Sequence, residues 1–178
     1  MLLVVDVDTD FAALLDARGE PADASVAAGV AAVRARGPIA LTMSALTSLA
    51  RFGRDEPLAE HAGQLALEET LAIDAAVRAA GGRLVVVCVP PAVEIDALEL
   101  AAPVRGACAA LDVEPPAQSI LPRAARSYVA ALQEAGIDTF DVGLCVAPHS
   151  GRLIHPRTGS IGVALATQIG AVCAHLVE

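Results

Sequence analysis

The stretch Arg83–Val89, with the sequence RLVVVCV, is the feature that most restricts how this chain can fold. Its unbroken run of apolar residues lacks the alternation of a half-exposed strand and is too short for an ordinary helix, and Pro90 and Pro91 follow it directly. Such a run is typical of a strand that is buried on both faces of a parallel sheet. The runs Leu2–Val7 and Ile137–Val146 are also rich in apolar residues, so we predict that all three lie in one sheet.

Segments with the composition of helices separate these strands. Asp23 or Ser25 is predicted to cap a helix that Gly37 ends, and a longer helix is predicted over Pro57–Ala80, before two glycines. Strands that alternate with helices form a parallel sheet covered on both faces. We therefore predict a single α/β domain over residues 1–178, a flavodoxin-like three-layer α/β/α sandwich with a mainly parallel sheet of about four or five strands. The other predicted elements are a strand at Pro38–Ser44 and helices at Glu94–Leu111, Arg123–Ala135 and Ser160–Val177.

The charged residues exclude several classes of function. The net charge is −9, and all 12 basic residues are Arg, so the chain contains no Lys. An acidic surface repels phosphate backbones, and we therefore expect no nucleic-acid partner. Without Lys there is no Walker-type lysine, no Schiff-base lysine and no catalytic Lys of a triad. We predict no cofactor.

The apolar start of the chain does not have the pattern of a targeting signal. No basic region precedes the run Leu2–Val7, and Asp6 interrupts that run. No apolar run reaches about 18 residues, so we expect no membrane span. The four cysteines lie in apolar surroundings without a C-x-x-C pair. This pattern indicates buried thiols in a reducing compartment, and the chain is predicted to be cytoplasmic.

Polar residues that follow the predicted strands are the first candidates for a functional site. In an open parallel sheet, ligands bind at the carboxyl ends of the strands. The residues that this rule selects are Asp6, Asp8, Asp10, Thr42, Ser44, Ser48, Pro90, Pro91, Glu94 and the range 141–160.

Four stretches of the chain resemble the SGNH/GDSL hydrolases, in particular the subgroup related to alginate and peptidoglycan O-acetylation. They are GGRLVVVCVPP, AGIDTFDV, LIHPRTGSIGVALAT and the opening LLVVDVDTDFAALLDARGEP. The resemblance implies a three-layer α/β/α fold with a mainly parallel sheet. It also implies ester chemistry by a Ser nucleophile, a His base and an orienting Asp, with Gly and Asn donors facing the oxyanion.

The chain departs from this family at the positions that carry the chemistry. No Gly-Asp-Ser turn is present, and Asp10 stands where the resemblance places the Asn donor. Thr158 and Ser160 stand where it places the Asp and the His, and neither acts as a base near neutral pH. We therefore predict a non-catalytic pseudoenzyme that serves as a binding or assembly module. The mean hydropathy of +0.58 predicts that apolar surface contacts a protein partner or a second copy.

A displaced Ser–His pair is the alternative that keeps ester hydrolase or acyltransferase activity. His155 or His149 would replace the lost base, and Ser150 or Ser44 would be the nucleophile. Asp141 would then orient the imidazole ring. These five residues are the catalytic candidates.

The opening run also resembles two other families, but in each case this chain lacks a residue that is essential to the family. Isochorismatase-type cysteine hydrolases begin with a similar strand, which would make Asp6 the acid and Cys145 the nucleophile, but their Lys has no counterpart here. Actin-like ATPases begin with a pattern similar to DVDTDFAALLDARG, but Asp8 replaces the Gly that approaches the phosphates. Either reading would make the chain a remnant of such an enzyme.

The carboxylates of Asp6, Asp8 and Asp10 are the weak candidates for a metal site. Carboxylates at alternating positions after a strand attract Mg²⁺. Three carboxylates on one short segment rarely supply the six oxygens that such an ion needs, so no metal is predicted. A polar strand end that turns into solvent is the simpler reading of the same residues.

Overall fold

A computed structural model describes residues 1–36, 43–89, 91, 101–113 and 120–141 of the chain, with side chains for all of them except 101–104. Strands and helices alternate within these ranges. The elements in chain order are β1 (Leu2–Asp6), α1 (Val7–Ala17), α2 (Ala24–Ala35), α3 (Met43–Phe52), α4 (Glu56–Ala79), β2 (Val85–Val89), α5 (Ala101–Leu111), α6 (Ile120–Glu134) and β3 (Asp138–Asp141).

The three strands form one parallel sheet in the order β1–β2–β3. Val4 lies beside Val87, and Val87 lies beside Phe140, which sets the register across the sheet. The prediction that the three apolar runs share a parallel sheet is confirmed. The described residues contribute three strands, and residues 142–146 of the third predicted run lie outside the described ranges.

The predicted helix boundaries follow from caps that the structure contains. The Asp23 carboxylate accepts from the backbone N–H groups of Ser25 and Val26, so Asp23 is the N-cap of α2. Glycines mark the C-terminal ends of two longer helices: Gly81 has φ +77° after α4, and Gly136 has φ +72° after α6. This left-handed conformation favours glycine, which explains why both helices end there.

One apolar core joins the sheet to α1, α4 and α6. Phe11 of α1 is fully buried, and its ring meets the Tyr128 ring of α6 edge to face, with 5.8 Å between centroids. The Tyr128 hydroxyl shares a 2.9 Å hydrogen bond with Thr70 Oγ1 of α4, and burial raises the pKa of Tyr128 to about 12. The same core contains Val86 and Cys88 of β2. These contacts hold three helices against one face of the sheet.

A second, smaller apolar cluster joins α2, α3 and α5. Val30, Leu46, Leu49 and Cys108 are among its buried members. Gly53 follows α3 at a point where a Cβ atom would lie 2.5 Å from the Leu49 carbonyl oxygen. That spacing is too short for any side chain, so the backbone at this position needs glycine.

The first helix corrects the interpretation of the opening segment. The sequence reading treats Asp8 and Asp10 as residues of a strand end that turns into solvent. The structure instead starts α1 at Val7, and Asp8 is buried with 6% exposure. The spacing of Val7, Phe11 and Leu15 is helical and places all three in the core. Periodicity over the longer window would have identified this helix.

The predicted strand at Pro38–Ser44 is wrong at its end, because Met43 and Ser44 open helix α3. Residues 37–42 lie outside the described ranges, and so do residues 94–100 of the helix predicted at Glu94–Leu111. Helix α4 confirms the predicted long helix to within one residue at each end. The helix predicted at Ser160–Val177 also lies outside the described residues.

Two further observations concern the compartment predictions. Across the described residues, no helix combines the length and the apolar character that crossing a membrane requires. Cys88 and Cys108 are both buried and neither is part of a disulfide bond, as predicted for two of the four cysteines.

Candidate functional site

The carboxyl ends of the three strands meet at one edge of the sheet. Asp6 ends β1 beside Val89 of β2, and Asp141 ends β3 beside Cys88. Asp6 and Asp141 therefore flank the end of β2 from opposite sides. Both side chains are partly buried. This is the edge at which a ligand of a parallel sheet is expected.

Asp6 and Asp10 form a reciprocal cap at the start of α1. The Asp6 carboxylate accepts from the backbone N–H of Asp8 at 3.1 Å, and Asp10 Oδ2 accepts from the backbone N–H of Asp6 at 2.8 Å. Thr9 Oγ1 also donates to Asp6 Oδ2, at 3.5 Å. Each carboxylate thus satisfies a backbone donor that the helix leaves without a partner. The pair has a structural task in the local fold.

The environment of Asp6 disfavours its charged form. Burial raises the pKa of the Asp6 carboxyl above its ordinary value of 3.8, and the negative charge of Asp10 raises it further. The folded protein therefore holds this proton more tightly than the unfolded chain does. The contribution to stability is present below pH 3.8 and is lost as pH rises through the higher folded pKa.

The variant Asp6→Asn is expected to lose this pH dependence. Asparagine keeps the acceptor for the backbone N–H of Asp8 and is an equally good N-cap, so the fold should persist. Urea unfolding at a series of pH values from below 3.8 upward should show wild type losing stability relative to the variant as pH rises just above 3.8.

Asp23→Asn is the matched control, with the opposite sign. Hydrogen bonds from the Ser25 hydroxyl and from backbone amides lower the pKa of the Asp23 carboxyl. The contribution of Asp23 to stability is present above pH 3.8 and is lost as the pH falls through the folded pKa. We therefore expect wild type to lose stability relative to Asp23→Asn as the pH falls below 3.8, the opposite direction to Asp6→Asn. The same pH slope in both variants would contradict the environment described for Asp6.

Ser48 is the buried serine at this edge, and its hydroxyl is already in use. It is 0% exposed, and its Oγ donates to the backbone carbonyl of Asp8 at 2.9 Å. This bond joins α3 to the first turn of α1. A hydroxyl in that position is not accessible to a substrate, so Ser48 is excluded as a nucleophile.

The remaining predicted site residues are brought together only in part. Ser44 is exposed in the first turn of α3, and Asp141 is placed at the end of β3 as described. The other catalytic and degenerate positions lie outside the described residues, as do three further selected positions. These residues are Thr42, Pro90, Glu94, His149, Ser150, His155, Thr158 and Ser160.

No protein-family model, no curated protein and no solved structure matches the chain. The function therefore has to be argued from the residues themselves.

Metal ligands do not converge in the part of the chain that the structure describes. No group of three or more His, Cys, Asp or Glu side chains there could hold a metal ion. Asp6, Asp8 and Asp10 belong to a cap and a first helical turn, where their carboxylates do not share one coordination centre. The metal reading of these carboxylates gains no support from the geometry.

His61 is the histidine of the described ranges, and it does not belong to this edge. Its Nε2 lies 3.2 Å from Glu20 Oε1, and both side chains are about half exposed. A catalytic base must lie within hydrogen-bond reach of the proton that it removes. His61 pairs with Glu20 on the exposed surface and is therefore not a candidate base for the edge of the sheet.

A groove of about 230 Å³ lies between α4 and α6. Gly63, Ala124 and Tyr128 are among the residues that line it, and the Tyr128 hydroxyl is bonded to Thr70. The polar groups at the rim, such as Glu60 and Ser127, are exposed. The groove therefore has the character of an ordinary seam between two helices.

Arg51 is a buried charged residue that the sequence analysis did not identify. Its guanidinium donates to the backbone carbonyls of Ala12 and Glu20 and to Asp16 Oδ1, which ties α3 to the end of α1. Nothing near Arg51 in the sequence indicates this, because its partners are more than 30 positions away. The positive charge also suits the carboxyl end of a helix.

Proposed function

We propose that the chain is a non-catalytic binding or assembly module, a pseudoenzyme whose sequence resembles the SGNH hydrolases. One observation carries the proposal. At the carboxyl edge of the sheet, Asp6 and Ser48 bond backbone groups of α1, and Asp10 bonds the backbone N–H of Asp6, the N-cap of that helix. Polar side chains that hold a helix end in place are unavailable for proton transfer or nucleophilic attack.

The chemistry of the degenerate positions supports the same proposal. An oxyanion hole needs hydrogen-bond donors, and the Asp10 carboxylate is an acceptor that would repel the developing charge. Its oxygen is moreover occupied by the Asp6 backbone N–H. Thr158 and Ser160 replace the residues that would activate and orient the nucleophile. Each part of the ester-cleaving machinery is thus replaced by a group that cannot perform its role.

The partner that we propose is a protein, either another protein or a second copy of this chain. The mean hydropathy of +0.58 is high for a domain of this size, and Met43 is 51% exposed at the start of α3, next to Ser44. A net charge of −9 argues against a nucleic-acid partner. We further propose that this module is cytoplasmic. Its proposed fold is a three-layer sandwich with about four or five strands.

A displaced Ser–His pair is the alternative function. The position of Asp141 at the same edge as Asp6 favours it, because an imidazole supplied by residues that follow β3 would have a carboxylate nearby. His155 or His149 would be the base, and Ser150 or Ser44 the nucleophile.

The deciding experiment compares the full-length wild type with His155→Ala. Turnover of nitrophenyl acetate and covalent labelling by a fluorophosphonate probe are measured on both. We expect no turnover above background and no labelling, because removing triad members costs about four to six decades in rate. His61→Ala is the matched control, since His61 lies on α4 and pairs with Glu20.

Stoichiometric labelling of the wild type would overturn the non-catalytic proposal. Activity lost in His155→Ala and kept in His61→Ala would then establish the displaced pair. Activity that both variants retain would move the search for the base to His149.

A further inference from the structure

The two apolar clusters of the described residues differ in size and share no member. The larger one, which we call the main core, joins the sheet to α1, α4 and α6 and includes the rings of Phe11, Phe52 and Tyr128. The smaller one, which we call the α2 seam, has the following buried members: Val30, Val33, Leu46, Leu49, Ala107 and Cys108. None of these side chains is aromatic. The α2 seam therefore buries much less apolar surface than the main core, and its contacts contribute less to stability.

Helix α2 is attached to the described body of the protein through this seam. Its main contacts are with α3 and α5. Val30 and Val33 are its buried members in the seam, and at Gly29 a Cβ atom would lie 2.8 Å from Leu111 Cδ2 of α5. Within the described ranges, the hydrogen bonds to side chains of α2 stay in its own N-terminal cap. Among these residues, α2 is thus held to its neighbours by apolar contacts.

The other two helices of the seam have polar attachments in addition. Phe52 places α3 in the main core, and Ser48 and Arg51 of the same helix donate to backbone carbonyls of α1. The guanidinium of Arg54, which follows α3, donates to the Asp112 carbonyl at 2.8 Å and to the Asp112 carboxylate. These bonds join the end of α5 to the end of α3. Both helices are therefore more firmly held than α2 by the described residues.

Helix α2 is also too short to remain helical without its neighbours. It contains 12 residues, and isolated helices shorter than about 12–15 residues are only marginally stable in water. Gly29 lies in its interior and lowers its helix propensity further. The helical state of α2 thus depends on the seam. If α2 leaves the seam, we expect it to unfold as well.

We propose that α2 is a flap that detaches and unfolds while the main core stays folded, and that this opening uncovers the thiol of Cys108. In the closed state Cys108 is 2% exposed and belongs to the seam that α2 covers. Burial also raises the pKa of the Cys108 thiol, so the closed state presents little of the reactive thiolate. The flap thereby controls the access of reagents to this thiol. The inference rests on the packing of α2 and does not depend on whether the chain is catalytic.

Labelling of the native full chain with N-ethylmaleimide tests the flap. Cys88 lies in the tryptic peptide 84–105 and Cys108 in the peptide 106–123, so mass spectrometry follows the two thiols separately. Cys88 is 1% exposed in the main core and is the internal reference. When opening is fast relative to labelling, the rate follows the population of the open state. We expect Cys108 to react at least about a hundredfold faster than Cys88, because local opening costs less than global unfolding.

Two matched variants identify the helix whose unfolding releases Cys108. Ala32→Gly changes α2 and Ala72→Gly changes α4, each at an exposed position inside its helix. Glycine disfavours the helical state at such a position, so Ala32→Gly should speed the labelling of Cys108 about fivefold. Ala72→Gly should leave the rate of Cys108 unchanged, because α4 stays folded when the flap opens. It should speed the labelling of Cys88 about fivefold, because the main core must unfold to release that thiol.

Low concentrations of urea supply a second measurement. The effect of urea scales with the surface that an opening exposes, so the rate of Cys108 should rise weakly with urea and that of Cys88 steeply. Equal rates and equal urea dependence for the two thiols would overturn the proposal, since global unfolding would then release both. A Cys108 rate that Ala72→Gly raises as much as Ala32→Gly does, or that Ala32→Gly leaves unchanged, would also overturn it.

Discussion

Replacing Arg51 by methionine is expected to lower the free energy of unfolding by about 2–4 kcal/mol, because three oxygens lose one charged donor. The guanidinium bonds Asp16 Oδ1 at 2.9 Å, the Ala12 carbonyl at 3.2 Å and the Glu20 carbonyl. The Arg51 side chain is 4% exposed, so its donors lie inside the fold, whereas the Asp16 carboxylate is 55% exposed and can be hydrated when the guanidinium is removed. Methionine keeps the apolar stem and so isolates the loss of the polar head. Urea unfolding measures the difference.

Arg18→Met is the matched control for this prediction. Arg18, the C-cap of α1, also donates to a carboxylate, that of Glu69 on α4, at 2.8 Å. Here, however, the two side chains are 50% and 49% exposed. An exposed ion pair of this kind contributes about 0–1 kcal/mol. The two variants change the same residue type in opposite environments. Similar losses in both would show that the buried donor has no special role at the junction of α1 and α3.

Replacing Phe11 by alanine is expected to cost about 3–5 kcal/mol of stability, which is the range for removing a fully buried aromatic ring. The ring is 0% exposed and packs edge to face on Tyr128. It also fills the space next to Gly63, where a Cβ atom would lie 3.5 Å from the ring. Three helices meet at this ring, so the cavity cannot close by moving one side chain.

The measurement is again urea unfolding, with Leu71→Ala as the control. Leu71 lies on α4 and is 39% exposed, so its truncation should cost less than about 1 kcal/mol. If the slope of the unfolding free energy against urea concentration is the same in Phe11→Ala as in wild type, the two unfolded states are equally compact. A loss no larger than that of Leu71→Ala would mean that α1 is not anchored in the core as described.

The pattern of apolar residues was sufficient to predict the sheet. Arg83–Val89 contains five residues of β2, and the runs at Leu2 and Ile137 contain β1 and β3. The reason is local for β2, where Val86, Val87 and Cys88 are all buried and a strand covered on both faces needs apolar residues at successive positions. The number of strands and the number of layers cannot be predicted in this way. Both depend on contacts between segments that lie far apart in the chain.

Helix ends were predictable where a cap or a glycine marks them. Asp23 caps α2, and Gly136 ends the last described helix. The sequence pattern does not predict helix α1, because Asp6, Asp8 and Asp10 have the appearance of a polar continuation of the strand. The spacing of Val7, Phe11 and Leu15 indicated a helix, but the carboxylates between them concealed it.

The amino-acid pattern alone is enough to predict the position of the parallel strands and of the long helix α4. Those features depend on periodicity, on caps and on the identity of single residues. The partners of the polar residues, in contrast, follow from the packing of the helices. Ser48 bonds a carbonyl 40 positions away, and Arg51 bonds groups 31 to 39 positions away. Folding creates these pairings by bringing α3 against α1, so no local pattern in the chain can encode which partner each side chain meets.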